Sequence, residues 1–407
     1  MTIEEYEHRF PPLLPPDDVV AAAHHLRTVC PITHSEIDDG FWVVNTYEEC
    51  LEVLQDPGRF AVGTTDGRSP VKIPRDRPGL VRGLRPPIDV NPPLHRQFRN
   101  LINPWLSPQA LAGHEPGFRS IIASLIDDFA GDGRCDIAGQ LAKVFPAQLT
   151  FSELFGIRDG DELIRVRELV RSLTYDLYRK EPPELAGYQK ELDAWVMDLV
   201  TARRSKDPVE NLLDAVANGQ IDGRPLTDEE VAGTVMILIL GGFSTTADAT
   251  CNLVIQLIED PSMQDRLREE PTLIKPFLEE VLRLEPPITA RARRATGDVE
   301  LRGMPVGSQD RVLVNLFAAN RDPQEFDHPD QFDLDRPRNR HLTFSAGVHR
   351  CVGSTMARMS LSIMLEELLA RLGDIRLAPG QREERVSFSA GVWRAVDYLP
   401  VVFSPRS

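Results

Sequence analysis

One cysteine in this chain sits where sulfur would be favoured as an anion. Cys351 lies near the end of Phe344-Ser345-Ala346-Gly347-Val348-His349-Arg350-Cys351-Val352-Gly353, and a helical pattern begins at Ser354. Free N–H groups and the positive end of the dipole at a helix N-terminus favour a thiolate over a thiol. Gly347 and Gly353 allow tight turns and the close approach of a flat ligand. Such a loop suits a buried sulfur ligand, and a thiolate is one of the axial ligands that haem iron accepts. Taken alone, a single cysteine is more often a structural residue.

Three other groupings could carry chemistry. Gly241-Gly242-Phe243-Ser244-Thr245-Thr246 falls in the middle of a long helical pattern. Paired glycines there cost about 1 kcal/mol each relative to alanine, so they need a reason. A close neighbour is one reason. Glu280 and Arg283 are spaced to meet on one helix face. His95 and Arg99 are one turn apart, and Arg293 with Arg294 forms a further basic pair. Arginine suits carboxylate geometry, so these are candidate anion contacts.

The elements that must position these residues are mostly helices. The longest begins at Leu226-Thr227-Asp228-Glu229-Glu230, where Thr227 and Glu230 form a capping-box pattern. It continues to about Glu259, about 48 Å at 1.5 Å per residue, and its apolar part reads as too interrupted for a membrane span. Further helices are predicted over 47–55, 116–130, 138–156, 160–178, 184–205, 208–217, 270–284 and 354–371. Strand-like segments lie at 40–44, 299–301, 311–313, 386–389 and 399–403. No Gly/Ser linker divides the chain, so residues 1–407 read as one domain.

The composition narrows the partners. With 46 Lys+Arg against 62 Asp+Glu, the formal charge is −16, which argues against nucleic acid and anionic membrane surfaces. Five dispersed cysteines without a CxxC pair fit a reducing compartment. Neither a signal peptide nor a membrane anchor is expected.

The decapeptide ending at Gly353 resembles the haem-binding loop of the cytochrome P450 family, Phe-x-x-Gly-x-His-x-Cys-x-Gly, at every defined position. Other family-like segments follow in order over nearly the whole chain. Asn91-Pro92-Pro93-Leu94-His95-Arg96-Gln97-Phe98-Arg99 is similar to Asp-Pro-Pro-x-His-x-x-x-Arg, with Asn91 in place of the acid. Gly241 to Thr246 resembles Ala/Gly-Gly-x-Asp/Glu-Thr-Thr, with Ser244 in place of the acid.

The resemblance implies a mainly α fold with a small β-rich part, prism-like, with the long central helix lying over one haem b. Cys351 would ligate the iron, and Phe344 and Gly242 would border the haem. His95, Arg99, Arg293 (or Arg294) and His349 would bind its propionates. Thr245 would be the catalytic threonine. Asp248, one turn beyond Ser244, could replace the missing carboxylate through water; otherwise Ser244 and water deliver protons alone. Glu280, Arg283 and Arg336 would form a buried structural network. The substrate pocket would draw on the loop at 62–90, parts of 165–195, Val235, Ile239, Ile288, Thr289, Val392 and Trp393, so a hydrophobic small molecule is expected.

The resemblance further implies a cytoplasmic, monomeric monooxygenase using O₂ and electrons from NAD(P)H through ferredoxin reductase and ferredoxin. Arg336, Arg338, Arg340, His341 and Arg350 form a local basic cluster that could dock an acidic ferredoxin. A peroxide-driven peroxygenase, a non-catalytic haem-thiolate sensor or carrier, and an oxidative coupling enzyme are the rival readings.

Overall fold

The computed structural model describes residues 19–29, 31–35, 40–62, 84–174, 182–207, 209–388 and 393–406. Its architecture grows around the central helix, Asp228–Glu259, of 32 residues. Thr227 Oγ1 accepts the Glu230 N–H at 3.2 Å, and the Glu230 carboxylate accepts the Thr227 N–H at 2.8 Å. Both halves of the capping box are therefore made. Contrary to the sequence expectation, this helix is long and apolar enough to cross a membrane, yet 61% of the relevant window is buried inside the protein. It passes through the main core, which also takes in Pro182–Arg204, Ile274–Leu284 and Ser354–Arg371.

The helix expected over 138–156 is broken. Two wide turns, Ala138–Ala142 and Leu149–Leu154, flank a short helix at Phe145–Gln148. Pro146 lacks the N–H that a continuous helix would need, so a new helix starts there. The helix expected over 208–217 is shortened to Leu212–Ala217, because the Asn211 side chain caps it on the Asp214 N–H.

The β-rich part draws on both ends of the chain. Strands β1 (Ile32–Ser35), β2 (Phe41–Val44), β3 (Phe60–Ala61), β4 (Ala290–Ala295) and β5 (Arg311–Asn315) form one sheet in the order β1-β2-β5-β4-β3. Only the β2–β5 pairing is parallel. Val312 and Val314 lie opposite Arg293 and Arg291, so these four side chains share one face. That face belongs to a second core with Tyr47, Cys50 and Leu54 from the helix Tyr47–Gln55. A smaller sheet joins Leu372–Leu377, Pro400–Pro405 and Arg134–Asp136, and Glu384–Phe388 pairs with Trp393–Tyr398 as a hairpin.

Candidate active site

The cysteine loop is tied to itself and to its surroundings by backbone hydrogen bonds. Cys351 N–H donates to Phe344 O at 2.8 Å, Arg350 N–H to Gly347 O at 3.1 Å, and Ser345 N–H to Leu342 O at 2.7 Å. Gly347 has φ +67°, and a Cβ there would lie 2.4 Å from Leu54 O. Only glycine lets this loop rest against the end of the helix Tyr47–Gln55.

Phe344 is held by a cluster that the sequence did not reveal. The Arg358 guanidinium lies 4.3 Å from its ring centre, and the His341 ring centre is 5.9 Å away. Both partners bind Glu279, Arg358 through two hydrogen bonds of 2.5 and 2.8 Å and His341 Nε2 at 3.0 Å. Burial raises the Glu279 pKa, but these bonds more than offset it and hold the carboxyl at about 2. Burial also holds His341 below the usual imidazole range despite that carboxylate. Its Nδ1 accepts the Thr343 N–H at 3.2 Å, so a neutral ring donates from Nε2 to Glu279. Seventy-nine residues separate Glu279 from Arg358, and no spacing rule links them.

A second network anchors the loop from below. Arg283 is fully buried and donates twice to Glu280, at 2.7 and 2.8 Å, and also to the carbonyls of Asn320, Pro329 and Gln331. Arg336 Nε donates to both Glu280 oxygens at 3.1 Å, and Asn339 adds a bond at 3.0 Å. Asn320 carries the connection onward, accepting the Leu342 N–H and donating to Thr343 Oγ1. The residue before Phe344 is thus fastened to the Glu280 helix.

Cys351 keeps exposed surface, yet burial raises its pKa above the usual thiol value. The two observations agree if its surface faces an internal space rather than bulk water. The Gly353 N–H and the cations Arg291, Arg99 and Arg350 pull the other way without winning. The loop's N–H thus favours the thiolate as expected, but desolvation is the larger effect, and a bound metal cation would hold the anion.

Around that space the structure gathers arginines and histidines, none bonded to a carboxylate among the described residues. His95 and His349 stack with ring centres 4.3 Å apart. Burial and the Arg99 charge push His95 down to about 4. Burial, Arg293, His95 and Arg99 push His349 to about 3. Buried His349 Nε2 has no hydrogen-bond partner among the described residues. Arg293, 4% exposed, is driven down to about 10 by burial and by the neighbouring Arg291, and among the described residues it donates only to the Ala292 carbonyl, at 2.9 Å. Arg99 donates to Arg350 O at 2.7 Å and to Asn103. A buried basic cradle of this kind suits an anion. Two propionates would supply it, so the residues present fit a haem. Arg294 points to the opposite face of β4, where it donates to Gln309 O. That removes it as the alternative to Arg293.

The central helix is buried through its middle except at Ile237, Leu238, Gly241, Gly242 and Thr245. Leu238, Gly241 or Gly242, and Thr245 recur at helical spacing and mark the stripe that fronts open space. A Cβ on Gly241 would meet nothing within 4 Å, whereas one on Gly242 would meet Thr150 Oγ1 at 3.4 Å. Gly241 is therefore the more open of the pair. Thr245 Oγ1 donates to Gly241 O at 2.8 Å. Ser244 and Asp248 are buried beside this stripe, and Asp248 Oδ1 accepts the Val396 N–H at 3.3 Å.

Four of the expected pocket residues are buried. Val235 and Ile239 lie in the main core, off the open stripe. Ile288 and Thr289 are buried just before β4. Val392 and much of the loop at 62–90 lie outside the described residues, and of Trp393 only the strand is described. The basic cluster is also smaller than expected. Arg336 is bound to Glu280 and His341 to Glu279, while Arg338, Arg340 and Arg350 are exposed. Arg340 pairs with Glu325 at 2.8 Å.

Comparison with known proteins agrees with this geometry. The family model for cytochrome P450 matches residues 188–386. The chain is 30% identical over 406 residues to cytochrome P450 107B1 of Saccharopolyspora erythraea, covering 96% of this chain and 98% of the relative. It is 33% identical over 368 residues to mycinamicin IV hydroxylase/epoxidase of Micromonospora griseorubida, covering 89% of each. A crystal structure of a mutant of P450 EryK in complex with erythromycin B superposes with a TM-score of 0.83 at 26% identity, covering 96% of this chain and 98% of that one.

Proposed function

Since the chain belongs to the cytochrome P450 family and is a bacterial-type monooxygenase, we propose that it inserts one oxygen atom from O₂ into a hydrophobic small molecule. The observation that carries this is the cradle: Cys351 opens on an internal space ringed by His95, Arg99, Arg293 and His349, with no carboxylate bonded to any of them among the described residues. Cys351 would hold haem b there, and the haem would supply the oxygen chemistry. His349 Nε2 and the two arginines would hold its propionates.

The chain's own residues would position and protonate. The Gly241–Thr245 stripe brings the helix backbone and one hydroxyl to the open space. Thr245 would pass protons from its hydroxyl, supplied through water. Asp248 is wholly buried and occupied by the Val396 N–H, which favours delivery without it. Electrons would come from NAD(P)H through an acidic ferredoxin approaching Arg338 and Arg350, in a cytoplasmic monomer.

The test is the carbon-monoxide difference spectrum of the reduced protein, with Cys351→Ala beside it. The reading predicts a thiolate-type Soret band that the variant loses. A protein without haem, or a spectrum indifferent to Cys351, would overturn it.

A further inference from the structure

β4 places two arginines, not one, toward the open space. In a strand, alternate residues share a face, so Arg291 and Arg293 project together beside Val312 and Val314. Arg293 has a role in the cradle. Arg291 has none so far. Among the described residues it makes no hydrogen bond and no ion pair. It keeps some accessible surface, yet burial lowers its pKa. Like Cys351, it therefore faces an internal space.

Among the described residues its charged neighbours are Cys351, which attracts it, and Arg85 and Arg293, which repel it. Arg85 comes from the segment that rests on the central helix, where a Cβ on Gly233 would lie 2.1 Å from Leu84 O. Arg85 is already neutralised by Asp89, with bonds of 2.7 and 3.3 Å. Among the described residues Arg291 has no such acid.

Charge balance then points to a missing anion. Ferric haem with its thiolate is neutral overall at the iron, and its two propionates carry two negative charges. Arg99 and Arg293 balance those two, with His95 and His349 as neutral donors. Arg291 is one positive charge in excess, in a space where an unpaired ion is costly. Arginine offers a planar fork matched to a carboxylate.

We propose that Arg291 is a specificity-determining residue that binds a carboxylate on the substrate, so that the substrates of this enzyme are hydrophobic acids. The inference rests on the haem-thiolate reading above. The apolar body of such an acid would lie along the Leu238–Thr245 stripe, with its acid group held at the β4 side. Neutral compounds of the same skeleton would leave Arg291 unpaired and bind less well.

The experiment uses the haem-loaded protein and the spin-state shift of its Soret band, with no turnover required. The probes are matched pairs of carboxylic acids and their methyl esters, built on aliphatic, terpenoid and aromatic skeletons. The carbon-monoxide spectrum of each preparation is recorded first, so that failure of the haem assignment is seen separately. In the native protein at least one acid should bind about tenfold or more tightly than its ester, the scale of a charge-assisted pair. Arg291→Gln should abolish that preference while leaving ester affinity and haem content unchanged. Arg291→Lys should keep part of it, since charge remains while the fork is lost. If no acid outbinds its ester, the proposal fails. It also fails if Arg291→Gln leaves the preference intact, or if that variant loses haem with selectivity unaltered, because Arg291 would then serve the cofactor.

Discussion

Glu279 and Gly347 show how much of this site depends on single residues. The Glu279 carboxyl titrates at about 2, against about 4.3 for an ordinary glutamate. A depressed carboxyl stabilises the fold above its unfolded pKa, and that contribution disappears as pH falls from about 4.5 toward 2. Its size is on the order of 2–3 kcal/mol, since the group is largely buried. Glu279→Gln should therefore destabilise the protein at neutral pH, and the deficit should shrink as the pH of a denaturant titration is lowered below about 4.5. An unchanging deficit would mean that the charge of Glu279 is not what Arg358 and His341 use. At Gly347, alanine would meet Leu54 O and an unfavourable φ. The cost should be about 1–3 kcal/mol, read as a lower melting temperature and less haem per protein.

At the scale of elements, the central helix does two jobs at neighbouring positions. Thr245 faces the open space, whereas Asp248 fastens the hairpin strand Trp393–Tyr398 to the helix through Val396. The two positions should fail differently. Thr245→Val should consume NAD(P)H without matching product, while its thermal stability changes little. Asp248→Asn should lower the melting temperature and leave the ratio of product to NAD(P)H nearly unchanged. A collapse of that ratio in Asp248→Asn would return Asp248 to the proton path. The Glu280–Arg283–Arg336 network works at the same scale. It joins the helix Ile274–Leu284 to the cysteine loop through Asn320, so the loop is placed by elements distant from it in sequence.

Charge organises the whole molecule. The chain carries a net −16, yet the residues around Cys351 are basic. Part of that basicity is turned inward, in Arg336 and in the cradle of Arg99 and Arg293, and part remains outside. Arg338 is exposed, while Arg340 is neutralised by Glu325. Arg338→Glu should raise the apparent KM for an acidic ferredoxin by about threefold or more at low salt, with kcat nearly unchanged. The same reversal at Arg340 should do less. Equal effects, or none at either position, would move the docking surface elsewhere.

What could be read from the sequence was local. The loop at Cys351, the capping box of the central helix and the Glu280–Arg283 pair are each set by residues a few positions apart, and their hydrogen bonds follow from backbone geometry. β4 is not among the strands expected from the residue pattern, so the alternation of Arg291 and Arg293 belongs to the fold. Tertiary structure decided the rest. Glu279 meets Arg358, His95 meets His349, and Asp248 meets Val396 across separations that no periodicity encodes. Whether a charge is compensated depends on everything packed around it. The cradle, the buried Asp248 and the placement of Arg291 beside Arg293 are therefore properties of the folded chain.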